Sequence, residues 1–323
     1  MFRQAFIRAG KEYSARLCNG SVFELLRSNK NQEDQAMKKT IQVEIKEPQY
    51  IVDTNVTFAQ VRDWFGHTTK DLKMDIIFPE QGEKRSPCII WICGGAWQQM
   101  STSAHLAYLA DLARQGFVAA SVQYRTSNEA VFPAQIQDIK AAVRYLRAHA
   151  ERYCIDSEHF GVMGESAGGH LTAMAALTGD RREFDTGDYL EYSSAVQAAC
   201  PWYLPADITK MPVDAARDMQ AAPESLLIGM NAVHHQKEAL NACPVSYVTK
   251  QAPPFLLLHG LCDRTVPFSQ SEAMYAALEE KGADVQLVAI EGADHADIRF
   301  FQREVWDLIT GFFKEKLAEK SGK

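Results

Sequence analysis

The sequence predicts a doubly wound α/β fold, with a mostly parallel sheet of about eight strands and a small cap insertion. Three observations carry that expectation. Short apolar runs recur at 55–61, 72–78, 88–92, 118–123, 160–163, 196–200, 255–259 and 285–290. Most of these runs are continuous rather than alternating, the signature of strands covered on both faces. Segments with helical periodicity fall between them, so strand and helix alternate along the chain as parallel crossovers require.

The helical segments each show one apolar side. Ile136, Ile139, Val143 and Leu146 repeat at three- and four-residue spacing, one face of an amphipathic helix. Met274, Ala277 and Leu278 do the same ahead of Gly282, which suits a helix C-cap. From 300 to 318, Val305, Leu308, Phe312 and Leu317 fall on one side. The rhythm breaks between Pro205 and Pro244, where Pro- and Met-bearing turns and short helical pieces replace any strand. Such an insertion is either a lid over the carboxyl ends of the strands or a surface excursion with no part in binding. Residues 1–40 read as an N-terminal extension and 41–323 as one folded domain, the insertion occupying about 205–244.

Composition narrows the function classes. Lys plus Arg number 34 against 41 Asp plus Glu, so no broad attraction to nucleic acid or anionic membrane is expected. The hydrophobic share of 46% suits a chain that buries a large core. Seven scattered cysteines contain no C-x-x-C pair, which argues against a zinc ribbon or a dithiol redox site. Several lie inside apolar runs, so most are expected as reduced, buried thiols, and a cytoplasmic location follows. No apolar stretch approaches the ~20 residues that span a bilayer. The N-terminal 20 residues carry charges throughout, unlike a signal peptide, and Glu12 counts against a mitochondrial presequence.

Gly164-Glu165-Ser166-Ala167-Gly168 follows the apolar run 160–163 directly and opens a helix-compatible stretch. G-x-S-x-G in a strand–turn–helix context marks Ser166 as a candidate nucleophile. The turn is so sharp that residues flanking the serine must be small. A helix N-terminus beneath the hydroxyl favours developing negative charge. A serine hydroxyl is a weak nucleophile without a neighbouring base, and on such scaffolds an acid and then a histidine follow it in chain order. Asp263 lies in the loop leaving the run 255–259, and His295 in the loop leaving 285–290, both at strand carboxyl ends where α/β sites assemble. An unperturbed imidazole titrates at ~6.5, suitable for a base near neutral pH. Asp294 and Asp297 are rival acids, but their closeness to His295 in sequence places them on the surface. His259 is read as a structural residue at a strand end and His170 as packed on the elbow helix.

An oxyanion needs preorganised N–H donors. Ala167, next after the serine, supplies one. Gly95 and Ala96, in the loop after the run 88–92, supply the rest, because small residues let the backbone approach a carbonyl closely. Trp97 follows that loop, and Trp202 and Tyr203 follow the run 196–200. These three aromatics either stack on a sugar or acyl group or brace the insertion against the core.

With these residues the chain resembles the α/β-hydrolase superfamily. It looks closest to esterases carrying H-G-G-G-W and G-E-S-A-G-G, in the hormone-sensitive-lipase-like and the bifunctional feruloyl and acetyl-xylan esterase branches. The likeness covers roughly 70–315 and rests on Gly164 to His170, on His259-Gly260-(x)2-Asp263-(x)2-Val266-Pro267, and on Gly292-Ala293-Asp294-His295. The resemblance implies ester hydrolysis through an acyl-enzyme, with no cofactor and no metal. It implies a small-molecule or oligosaccharide ester as the partner, carrying short-chain acyl or hydroxycinnamoyl groups. Arylformamidase chemistry, general carboxylesterase activity and a non-catalytic ligand-binding relative are the alternatives. Two positions depart from the pattern. Cys93 stands where the family has histidine, and a thiol is a weak donor and acceptor. Ala96 replaces a frequent third glycine and should be tolerated if its backbone angles are ordinary.

Overall fold

The computed structural model describes residues 40–80, 85–212 and 222–318. From Glu47 onward they belong to one compact unit. Most of the expected N-terminal extension and residues 213–221 of the insertion lie outside the described residues.

Eight strands form one sheet. They are β1 (Tyr50–Asp63), β2 (Thr68–Pro79), β3 (Ser86–Ile92), β4 (Val118–Val122), β5 (Ile155–Glu165), β6 (Ala198–Trp202), β7 (Phe255–Gly260) and β8 (Val285–Ile290). Their spatial order is β1-β2-β4-β3-β5-β6-β7-β8. The β1–β2 and β2–β4 pairs are antiparallel, and every other pair is parallel. The sequence expectation of a mostly parallel sheet therefore holds, with a long antiparallel hairpin at one edge.

The continuous apolar runs split by strict alternation between two cores. Along β3, Cys88, Ile90 and Ile92 face one core while Ile89 and Trp91 face the other. Along β7, Phe255 and Leu257 divide from Leu256 and Leu258 in the same way. A period of two on a strand covered on both faces produces this split. One face is covered by α1 (Leu106–Arg114) and the C-terminal α2 (Arg303–Lys316), which contribute Leu109, Leu112, Trp306, Ile309 and Phe313. The other is covered by α3 (Ala134–Ala148), α4 (Ala167–Leu177) and α5 (Ser269–Glu280).

Because α1 links β3 to β4 on one face and α3 links β4 to β5 on the other, the chain reverses its winding beside β3. A crevice opens at the carboxyl ends of strands at such a switch point. Helix α4 has no polar stripe, since all eleven of its residues are buried. It is enclosed by the sheet on one side and by the insertion on the other, whose Ala239, Ala242 and Cys243 share its core.

Two sequence expectations shift in detail. The C-terminal helix buries Trp306, Ile309, Phe312 and Phe313, whereas Leu308, expected inward, is 37% exposed. Its stripe is set by Trp306, Ile309 and Phe313 at i, i+3 and i+7. Strand β6 runs two residues further than expected, so Trp202 is a strand residue paired with Glu165 and Leu258. The insertion does lack strands among its described residues, which form short helices at Pro223–Ile228 and Gln236–Ala239 and 3-10 turns. Of the seven cysteines, Cys88, Cys93, Cys154, Cys200 and Cys243 are free and buried, and Cys262 is free and exposed. Among the described residues no helix is long and apolar enough to cross a membrane.

Candidate active site

Strand β5 delivers Glu165 and then Ser166, which caps α4. Ser166 has φ 53° and ψ −120°, a left-handed conformation forced by the turn from strand to helix. Non-glycine residues pay on the order of 1–2 kcal/mol for such angles. Surrounding hydrogen bonds hold them: the Ser166 N–H donates to the Trp202 carbonyl at 3.0 Å, and the His170 N–H donates to the Ser166 carbonyl at 2.9 Å. The glycines permit the close approach. A Cβ at Gly168 would lie 2.0 Å from the Ile92 carbonyl oxygen, and one at Gly164 2.4 Å from the same atom. Both contacts are with backbone, which cannot swing aside. Gly168→Ala is therefore expected to cost about 3 kcal/mol or more and to lower the melting temperature by about 6 °C or more. Differential scanning calorimetry measures it.

The three residues singled out at strand ends converge. Ser166 Oγ lies 2.9 Å from His295 Nε2, and His295 Nδ1 lies 2.7 Å from Asp263 Oδ2. Asp263 is fully buried at its side chain. Burial acting alone would raise its pKa. Hydrogen bonding from His259, His295 and the Val266 N–H more than offsets that and holds the carboxyl well below the usual carboxylate range. Its Oδ1 accepts from the Thr265 and Val266 N–H groups, each at 2.8 Å, which fixes the carboxylate rotamer. With Nδ1–H donated to that carboxylate, His295 presents an unprotonated Nε2 to the serine.

Asp294 and Asp297 do other work. Asp294 Oδ1 accepts from the backbone N–H of Arg264 at 3.0 Å and of His295 at 2.8 Å, and its Oδ2 accepts from Arg264 Nε at 2.7 Å. It thus ties the Asp263 loop to the His295 loop. Asp297 pairs with Arg299. His259 is structural as expected, bonded to Ser271 Oγ at 2.7 Å and to the Val266 carbonyl at 2.9 Å.

The loop after β3 lies directly over the elbow. A Cβ at Gly94 would stand 3.2 Å from Ser166 Cβ and 2.8 Å from the Glu165 carbonyl oxygen. Gly95, at φ 128°, has its carbonyl tied back by the N–H groups of Gln98 and Gln99 at 3.0 and 3.2 Å. In a trans peptide the next N–H, that of Ala96, then points the opposite way, out of this turn. Ala96 does not have the ordinary angles anticipated for it: φ is 54°, followed by 58° at Trp97. Two consecutive left-handed residues persist because Trp97 is anchored at both ends. Its carbonyl accepts from the Ser127 N–H at 2.8 Å, and its Nε1–H donates to His170 Nδ1 at 3.2 Å. His170 Nε2 in turn donates to the Ala242 carbonyl at 2.7 Å. Burial pushes the His170 pKa down to about 4, so its ring stays neutral and can accept at Nδ1.

The three aromatics considered for substrate contact are buried. Trp97 is 2% exposed, Trp202 and Tyr203 not at all. Trp202 lies within β6 and packs its indole among Trp91, Phe300, Phe301 and Trp306. Tyr203 donates its hydroxyl to Glu165 Oε2 at 2.5 Å and sets its ring edge-on to His295 at 4.7 Å. Burial, and then the adjacent carboxylate, push the Tyr203 pKa far up, so it remains a donor. These side chains brace the site and offer no face to a ligand.

Burial raises the pKa of the Cys93 thiol, which suits a packed residue and not a nucleophile. Its carbonyl accepts from Tyr124 OH at 3.0 Å. Sequence reasoning did not find Tyr124, His105 or the Glu165 side chain. Tyr124 and His105 lie in stretches without any motif, and Glu165 occupies the free position of G-x-S-x-G. Among the described residues no cluster of three His, Cys, Asp or Glu side chains is arranged to hold a metal.

The sheet order and the tight strand–turn–helix at Ser166 define an α/β-hydrolase fold. The chain belongs to the BD-FAE family, whose profile matches residues 74–278. It is 33% identical to esterase LipQ of Mycobacterium tuberculosis over 216 residues, 66% of this chain and 51% of that protein. It spans about half the length of the curated relatives it matches. Among solved structures, a truncated carbohydrate esterase from gut microbiota aligns with a TM-score of 0.74 and 31% identity, covering 85% of this chain and 100% of that one. A propionate-bound esterase from Thermogutta terrifontis aligns with a TM-score of 0.67 and 25% identity, over 84% and 97% of the two chains.

Proposed function

We propose that the protein is a serine carboxylic ester hydrolase acting through an acyl-enzyme, on short-chain acyl esters of small molecules or carbohydrate. The observation that carries this reading is the unbroken path from Ser166 Oγ through His295 to Asp263, 2.9 and 2.7 Å long at its two steps. His295 Nε2 takes the Ser166 proton as Oγ attacks the ester carbonyl carbon. The oxyanion forms over the N-terminus of α4, with the Ala167 N–H and those of Gly95 and Ala96 as donors. The imidazolium then protonates the departing alcohol, and water repeats the sequence on the acyl-enzyme. The kinship to a carbohydrate esterase and the propionate bound to a neighbour support a short acyl group on a sugar alcohol. With Trp97, Trp202 and Tyr203 buried, these side chains offer a stacking face neither to a sugar ring nor to a hydroxycinnamoyl group, so the carbohydrate reading rests on the kinship.

The test is a substrate panel of p-nitrophenyl acetate and butyrate, acetylated xylo-oligosaccharides, methyl ferulate and N-formylkynurenine. Acetyl esters are expected to turn over fastest. Cleavage of p-nitrophenyl acetate with both the xylo-oligosaccharides and methyl ferulate untouched would remove the carbohydrate assignment. A faster rate on N-formylkynurenine would make the protein an arylformamidase.

A further inference from the structure

The Glu165 carboxylate is only 11% exposed, yet the proposed chemistry gives it no part. Its two oxygens are gathered by separate elements. Oε2 takes the Tyr203 hydroxyl. Oε1 lies 3.0 Å from His105 Nε2 and 4.0 Å from Cys93 Sγ. A carboxylate accepts only, so His105 Nε2 carries the proton and donates. The thiol stands at the outer limit of contact and contributes little. The Glu165 side chain is also what the oxyanion loop rests on: a Cβ at Gly94 would be 3.2 Å from Glu165 Cγ.

Cys93 and His105 are the two ends of one loop, which carries Gly95 and Ala96 near its start. That loop holds two left-handed residues, kept in place at Trp97 by Ser127 and His170, and the rest of it reaches as far as His105. The near end is continuous with β3. The far end is continuous with α1, whose N-cap is His105, and the His105 ring, oriented by Trp91 at 5.2 Å and Phe301 at 5.0 Å, adds a side-chain tie to Glu165 there.

We propose that His105 is a positioning residue, which latches the oxyanion loop shut through Glu165 and supplies the donor that position 93 lacks. This rests on the serine-hydrolase reading above. The loop's donors meet negative charge only as the oxyanion develops, so loosening the latch should lower kcat and leave KM nearly unchanged.

The experiment uses the full chain and p-nitrophenyl acetate, with His105→Ala, His105→Gln and Ser166→Ala in parallel, and melting temperatures for each. His105→Ala is expected to lower kcat about ten- to a hundred-fold with KM within about three-fold. His105→Gln, whose amide can still donate to Glu165, should recover most of that loss. The proposal is overturned if His105→Ala keeps kcat within about two-fold of the parent. It is equally overturned if His105→Gln is as impaired as His105→Ala while both melt with the parent. Activity that survives Ser166→Ala would instead overturn the reading on which the proposal rests.

Discussion

Ser166→Ala is expected to lower turnover of p-nitrophenyl acetate by ~10⁴-fold or more, with KM changed little and the fold intact. The hydroxyl is the only group removed. Alanine fits the elbow as serine does, because the left-handed angles are imposed by the Trp202 and His170 hydrogen bonds and by the crowded glycines, not by the side chain. What disappears is the covalent route. The residual rate is that of an oxyanion site with bound water. Labelling by a fluorophosphonate should vanish in the same variant. Retention of more than about one per cent of parental turnover would show that ester cleavage proceeds without an acyl-Ser166 intermediate.

Asp263→Asn should be nearly as damaging, about 10³- to 10⁴-fold in kcat. The amide replaces the carboxylate without changing its size. Its oxygen will keep the Thr265 and Val266 N–H bonds, which fix Oδ1 at 2.8 Å from each donor. That leaves the NH2 group facing His295 Nδ1, the atom that now donates across 2.7 Å. Two donors cannot face one another, so the ring adopts the opposite tautomer and Nε2 can no longer accept the serine proton. Because the native carboxyl is held far below the usual range, lowering the pH toward 5 does not reproduce this defect through Asp263. Asp294→Asn is the control. It loosens a tie between two loops and should cost less than about ten-fold. A larger loss in Asp294→Asn than in Asp263→Asn would exchange the two assignments.

The parts of this site that could be read from the sequence are those whose chemistry forces a local pattern. The elbow needs glycine at 164 and 168 because each Cβ would strike the Ile92 carbonyl, and that need is printed in the chain. Asp263 follows an apolar run that became the buried strand β7, and His295 follows a mostly apolar run that became the half-exposed edge strand β8, so their place at strand ends was legible too. The two-sided alternation of β3 and β7 was hidden, since an unbroken apolar run gives no sign of which residue faces which core. Whether Trp202 and Tyr203 stack on a ligand or brace the core stayed open for a related reason. The end of β6 is set by pairing with β5 and β7 and not by its own composition, so Trp202 could not be assigned to strand or loop. The left-handed Ala96 has no local signal, because its angles are held by Trp97 contacts to Ser127 and His170, distant in the chain. His105 and Glu165 are 60 residues apart, and nothing at either position announces the other.

Helix α4, buried along its whole length, mounts the Ser166 hydroxyl on an element with no solvent-facing side. No stretch of it can fray into water without opening the sheet and the insertion together. On the proposed reading, substitutions that change ester preference are expected in the loops around Ser166 rather than in this helix. The same confinement makes the elbow a fixed mount on which new pockets can be built without re-tuning the chemistry.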